Sequence, residues 1–227
     1  MIGIKEKMDR LQSRVEEAAK RSGRSAKDIT IVAVTKGAAA EAVKEAAAAG
    51  LRIFGENKVQ EAEAKIPLVG DPPLEWHMIG HLQSNKIKPA MELFGLIQSV
   101  DALSLAKKLN EAATAGARTV SVLLEVNISG EKQKFGFSSD EIYGVLEQVA
   151  ALPAVKVLGL MGMAPAGPDA AVKKEAFKKL RNIFSVCRTL KHPNIEMRHL
   201  SMGMSDDFEI AIEEGSNMIR IGRALFS

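Results

Sequence analysis

The chain has 227 residues, 46% of them hydrophobic and 26% charged, a size that α/β barrels reach as one undivided domain. Its 31 Lys and Arg are nearly matched by 28 Asp and Glu; with the basic residues scattered rather than striped, no nucleic-acid partner is expected. Cys187 is the only cysteine, and the N-terminus is charged from the start with no apolar run of spanning length, which predicts a cytoplasmic protein with no disulfide framework and no membrane partner.

Residues 4–21 place Ile4, Met8, Leu11, Val15, Ala18 and Ala19 on one helical face. A strand is expected over 30–36, then an alanine-rich helix over 39–49 stopped by Gly50, and strands over 51–54, 74–79 and 95–100. A helix over 102–115 ends at Gly116, and strands follow at 119–127 and 155–161. Residues 171–190 carry Phe177, Leu180, Phe184, Cys187 and Leu190 at helical spacing, so Cys187 is expected in the core. Strands at 195–200 and 217–221 complete a set of eight. Strands alternating with helices predict an α/β fold, a closed (β/α)8 TIM barrel spanning 1–227 as a single domain. Little chain follows the eighth strand, so the N-terminal helix is expected to fill the gap in the helix ring between the last and first strands. An open doubly wound sheet is the alternative, disfavoured because no G-x-G-x-x-G follows an early strand.

Chemistry in such a barrel collects at the C-terminal ends of the strands. The first strand, T-I-V-A-V-T-K, ends in Lys36, which alternation places on the same face as Val32 and Val34. Taken alone, that lysine reads equally as one snorkelling out of a strand end. The loop S-M-G-M-S-D-D after strand seven offers Ser201 and Ser205 hydroxyls and a close backbone approach at Gly203, and Gly222 follows strand eight. Loops seven and eight commonly hold a phosphate in this architecture, although serine and glycine before a helix also make an ordinary cap. In N-M-I-R-I-G, Arg220 falls on the inward face with Met218, where a permanent charge requires an acceptor such as Glu56 or Asp207. His77 in W-H-M-I-G suits either the core or the site. No metal-ligand spacing, G-x-S-x-G elbow or poised cysteine nucleophile is present, so neither metal nor catalytic residues are expected.

Taken together, V-A-V-T-K, R-I-F-G-E-N-K-V-Q-E, V-N-I-S-G-E-K-Q-K-F-G-F, E-W-H-M-I-G-H-L-Q-S-N-K, L-S-M-G-M-S-D-D and I-R-I-G-R-A-L-F resemble the pyridoxal-phosphate (PLP) homeostasis protein family. The resemblance implies a barrel similar to the N-terminal domain of alanine racemase, holding PLP as a Schiff base on Lys36 and serving intracellular vitamin B6 balance without catalytic turnover. By the same resemblance, Ser201, Gly222 and Arg223 hold the phosphate, with Gly203, Met204 and Ser205 of the same loop counted among the cofactor-binding residues. Arg220 faces the pyridine nitrogen, and Asn57 and His77 line the site. The implied partners are PLP and apo PLP-dependent enzymes, and the lack of an apolar stripe suggests a monomer. Two positions depart from the family pattern: Thr35 precedes the lysine where serine is usual, and Arg223 stands where a small hydroxyl residue is common. The alternative is a PLP-dependent amino-acid racemase, whose family adds a β-rich domain and a partner-chain tyrosine. The one tyrosine here, Tyr143, falls in an expected helix. A Schiff-base aldolase would share the lysine but not retain PLP.

Overall fold

Short aliphatic runs flanked by amphipathic helices can bury both faces of a parallel sheet only by closing it or covering it on two sides, and here the sheet closes. The computed structural model describes residues 2–70, 73–131, 133–167 and 169–227. Its strands are β1 (Thr30–Val34), β2 (Ile53–Glu56), β3 (Glu75–Met78), β4 (Leu96–Val100), β5 (Val120–Val126), β6 (Val155–Gly162), β7 (Ile195–Ser201) and β8 (Met218–Ile221). The helices are α1 (Ile4–Arg21), α2 (Ala40–Ala48), α3 (Val59–Val69), α4 (Ile87–Leu93), α5 (Leu103–Ala115), α6 (Ile142–Ala150), α7 (Ala170–Cys187), α8 (Phe208–Glu213) and α9 (Arg223–Phe226). All neighbouring strands pair in parallel, and β8 returns to β1 through Thr30 opposite Met218 and Val32 opposite Arg220. The expected closed barrel is therefore the fold.

Two strands differ from expectation by more than one residue at an end. β1 stops at Val34, leaving Thr35 and Lys36 beyond the ladder, and β2 runs Ile53–Glu56 rather than 51–54. Glycine and glutamate are weak strand formers, but Gly55 pairs with His77 and Glu56 with Met78, so cross-strand pairing overrides propensity there.

Alternation divides the strand residues into two populations. Val32, Leu96, Leu123, Met161 and Met218 form an apolar cluster inside the barrel. Ala33, Phe54, Ile97, Leu124, Leu160, Ile219 and Ile221 join the larger core between strands and helices. Continuing the period of two, Glu125 and Arg220 point inward, one step above Leu123 and Met218.

The N-terminal helix takes the expected place in the ring. α1 packs against α2, α8 and α9, burying Leu11, Val15, Ala18 and Ala19, while Ile4 and Met8 are partly buried against the same core. Arg14 pairs with Glu209 at 2.6 Å and lies 4.6 Å over the Phe208 ring, and Arg21 pairs with Glu213 at 2.7 Å. These exposed pairs orient the helix, but the apolar stripe supplies most of its hold. Cys187 is buried at the end of α7, and burial pushes its thiol up to about 11, as suits a core residue. Leu11→Ala should lower unfolding free energy by about 2–4 kcal/mol through the cavity it leaves at the seam between β8 and β1. Urea denaturation measures the loss, and a change below about 0.5 kcal/mol would show that α1 is dispensable to closure.

Candidate functional site

Lys36 lies just past β1, exposed, at the C-terminal mouth of the barrel. It opens on a cavity of about 810 Å³ whose lining includes Asn57, Met78, Gly80, His81 and Lys86. The backbone beneath it is held firmly. Lys65 from α3 donates to the Thr35 carbonyl at 2.6 Å and to the Glu56 carboxylate, and the Thr35 hydroxyl donates to the same carboxylate at 2.6 Å. Glu56 is thus the counter-ion of Lys65 rather than of Arg220, which corrects one of the two partners expected for the arginine. Beyond the adjacent strands β2 and β3, Gly80 approaches Asn57 so closely that a Cβ there would stand 2.3 Å from the Asn57 carbonyl oxygen.

Arg220 is 4% exposed, inside the barrel. One terminal nitrogen donates to Ser201 Oγ at 2.7 Å and the other to the Gly162 carbonyl at 3.1 Å. Burial pushes its guanidinium down to about 10, opposed by the nearby carboxylates of Glu125 and Asp207. It remains a cation at neutral pH.

Ser201 is engaged inside the barrel. Its hydroxyl is fully buried, donates to Gln98 Oε1 at 2.7 Å and accepts from Arg220. His77 is likewise drawn into the core, 1% exposed, with Nδ1 accepting from Gln98 Nε2 at 2.8 Å and Nε2 facing Glu75 Oε1 at 2.8 Å. Both ring nitrogens are engaged below the mouth, so His77 does not line it.

The loops after β7 and β8 are tied into one unit. Arg220 N–H donates to the Gly203 carbonyl at 3.0 Å, Ala224 N–H to Ser205 Oγ at 3.3 Å, and Met204 N–H to Asp207 Oδ1 at 2.7 Å. Arg223 pairs with Asp206, so its side chain bridges the two loops at the surface. Gly203 has φ +95, and a Cβ there would stand 2.5 Å from that of Ala211, so this turn can be made only by glycine. Gly222 packs beside Val34 at the end of β1, two residues before Lys36. Met204 is 38% exposed at the rim.

Glu125 is a site residue that sequence reasoning misses. It is 4% exposed on the inward face of β5, and burial, reinforced by Asp101, pushes its carboxyl up to about 7 against the opposing pull of Arg220 and His81. In L-L-E-V it reads as a lone polar residue in an apolar strand, and only the inward phase set by Leu123 could have signalled it. His81 Nδ1 lies 2.6 Å from Asp101 Oδ2, and its ring stacks on exposed Phe135 at 4.1 Å. Asn127 shapes the loop that carries Phe135, accepting from Ser129 Oγ and Gly130 N–H and donating to the Glu131 carbonyl at 2.9 Å.

The barrel with a lysine at the mouth of β1 and an arginine inside β8 defines a class: residues 7–227 match the family model described as "Alanine racemase, N-terminal domain". Within that class the chain belongs to the pyridoxal phosphate homeostasis protein family. It is 42% identical to the pyridoxal phosphate homeostasis protein of Pseudomonas aeruginosa, covering all of this chain and 96% of that one. The Escherichia coli protein of the same name is 40% identical over 100% and 97% of the two chains. Among solved structures, PipY of Synechococcus elongatus with PLP bound has a TM-score of 0.84 and 35% identity, covering 99% of this chain and 100% of that one. An alanine racemase of Clostridium difficile shares the fold, with a TM-score of 0.69 at 16% identity, covering 95% of this chain and 54% of that one.

Glu125 yields a pH prediction. Between about 4.5 and 7 the folded chain keeps a carboxyl proton that the unfolded chain has released, so its contribution to stability falls as pH rises through that window. Glu125→Gln removes this penalty and should raise unfolding free energy above about pH 8 by up to about 3 kcal/mol, with little change below about pH 4.5. Urea titrations at the two pH values check it, and equal effects at both would contradict the buried carboxyl.

Proposed function

We propose that the chain binds PLP at the C-terminal mouth, covalently through a Schiff base on Lys36, and holds it for delivery within vitamin B6 homeostasis rather than for catalytic turnover. The observation that carries this is the pairing of an exposed lysine at the cavity with a buried, charged Arg220 whose guanidinium is oriented from within the barrel. The residues present fit the group. The amine of Lys36 matches the aldehyde, Arg220 matches the pyridine nitrogen as acceptor, and the joined loops around Gly203, Ser205 and Gly222 offer a hydroxyl and close backbone for the phosphate. When bound, PLP supplies an electrophilic aldehyde and a ring able to withdraw electrons.

Each side chain has a separate task in this reading. Lys36 captures the aldehyde, Asn57 lines the cavity, and exposed Met204 lies on the loop after β7. Ser205 offers the phosphate a hydroxyl on the loop that carries Ser201, and Arg223 supports that loop through Asp206. Arg220, a cation with no proton to give at neutral pH, leaves the ring nitrogen unprotonated and so weakens the ring as an electron sink. Tyr143 lies on α6, outside the barrel, where it cannot serve as an acid or base at the mouth. The names of the relatives support the carrier reading over a racemase, and recipient apo enzymes are the partners it calls for.

Borohydride treatment of the PLP-loaded protein followed by peptide mapping should place the pyridoxyl mass on Lys36, and Lys36→Ala should abolish it. An adduct confined to other lysines would overturn the assignment. Ser205→Ala should weaken PLP binding by about 1–2 kcal/mol, the scale of a hydrogen bond to a charged group, and leave pyridoxal unaffected. In deuterated water with L-alanine, the α-proton should exchange no faster than with free PLP; rapid exchange lost in Lys36→Ala would establish an enzyme instead.

A further inference from the structure

Arg220 stands at one end of an unbroken line of hydrogen bonds that crosses the barrel interior. The guanidinium donates to Ser201 Oγ at 2.7 Å, Ser201 to Gln98 Oε1 at 2.7 Å, and Gln98 Nε2 to His77 Nδ1 at 2.8 Å. His77 Nε2 completes the line to Glu75 Oε1 at 2.8 Å. Glu75 opens β3 at the N-terminal mouth, where its side chain is 54% exposed, whereas Ser201 and Gln98 are fully buried and His77 nearly so. The line therefore joins solvent at the N-terminal end of the barrel to the buried guanidinium of Arg220.

Its direction follows from the chemistry of each group. Gln98 gives an N–H to His77 Nδ1, so that nitrogen accepts and the ring proton sits on Nε2, aimed at Glu75. That hydrogen bond is the main reason the Glu75 carboxyl is held below the usual range, with burial opposing it. Ser201 has one proton and gives it to Gln98, so toward Arg220 it can only accept. Every donor points from the guanidinium to the carboxylate. A barrel interior is ordinarily filled with branched aliphatic residues. A buried polar line adds less to stability than apolar packing would, but it fixes one geometry when all its members are satisfied.

We propose that Ser201, Gln98, His77 and Glu75 are positioning residues for Arg220: they lock the plane of its guanidinium through Ser201, with the Gly162 carbonyl as second anchor, so that its free edge faces the ring of the ligand. The hold on the cofactor ring is then set by residues that never touch it. This inference rests on the PLP-binding reading.

The test uses the full chain titrated with PLP and with pyridoxal, reading dissociation constants, the absorption band of the bound cofactor and thermal unfolding. Ser201→Ala, Gln98→Leu and His77→Phe should each weaken both vitamers by about 5- to 10-fold, the equivalent of one lost hydrogen bond, and shift the bound band in the same sense as Arg220→Gln. Ser201→Thr, which keeps the hydroxyl, should restore the wild-type band. Where an apolar replacement does not fold, the Ser201→Ala and Ser201→Thr pair decides the matter. Folded variants with wild-type affinity and an unmoved band would overturn the positioning role while leaving PLP binding intact. Absence of PLP uptake by the wild-type chain would sink both readings.

Discussion

A guanidinium inside a closed barrel is the constraint around which the rest of this site is arranged. Arg220 cannot shed its charge at neutral pH even though burial draws it down to about 10. It must have acceptors, and the barrel provides them from two strands, Ser201 on β7 and the Gly162 carbonyl on β6, with the carboxyl of Glu125 on β5 acting on it electrostatically. Satisfying Ser201 in turn requires Gln98, and satisfying Gln98 requires His77. One buried charge thereby dictates polar residues on β3, β4, β5 and β7, where aliphatic layers would otherwise pack.

The mouth above that charge has two differently built sides. On one, Lys36 emerges from a backbone pinned by Lys65 and Glu56. On the other, loops seven and eight are joined by Ser205, Asp206 and Arg223 into a single turn-rich surface. α1 lies against α8 and α9, the helices that follow these loops, so the N-terminal helix supports the loop side of the site as well as closing the ring. Exposed Phe135 stacks on His81, one of the residues lining the cavity, and Lys36 itself is exposed, consistent with a site reached directly from solvent.

Much of this was legible in the sequence, because alternation in short strands carries direction. The period of two places Arg220 inward with Met218, and that position holds in the barrel, whereas Lys36 lies beyond the end of the β1 ladder. What alternation cannot report is which strands face one another across the interior. The loop sequence around Ser201 gives no sign of its hydrogen-bond partners Gln98 and Arg220, 103 and 19 residues away. Gln98 and Glu125 passed unnoticed for the same reason: a single polar residue in an apolar run gives no sign of what it meets. His77 was read as either core or site, and the structure places it in the core through contacts to Glu75 and Gln98. The loop glycines were easier, since Gly203 sits where only a residue without Cβ can follow the chain.

If the polar barrel interior serves to present Arg220 to the ligand ring, side-chain NMR of the Arg220 guanidinium in the full-length protein, recorded as PLP is added, should register it. Slowly exchanging guanidinium protons are expected before addition, because the group is already fixed, together with a resonance that moves with PLP in step with loading of Lys36. Guanidinium protons that exchange freely, or a resonance unmoved while Lys36 becomes fully loaded, would contradict it.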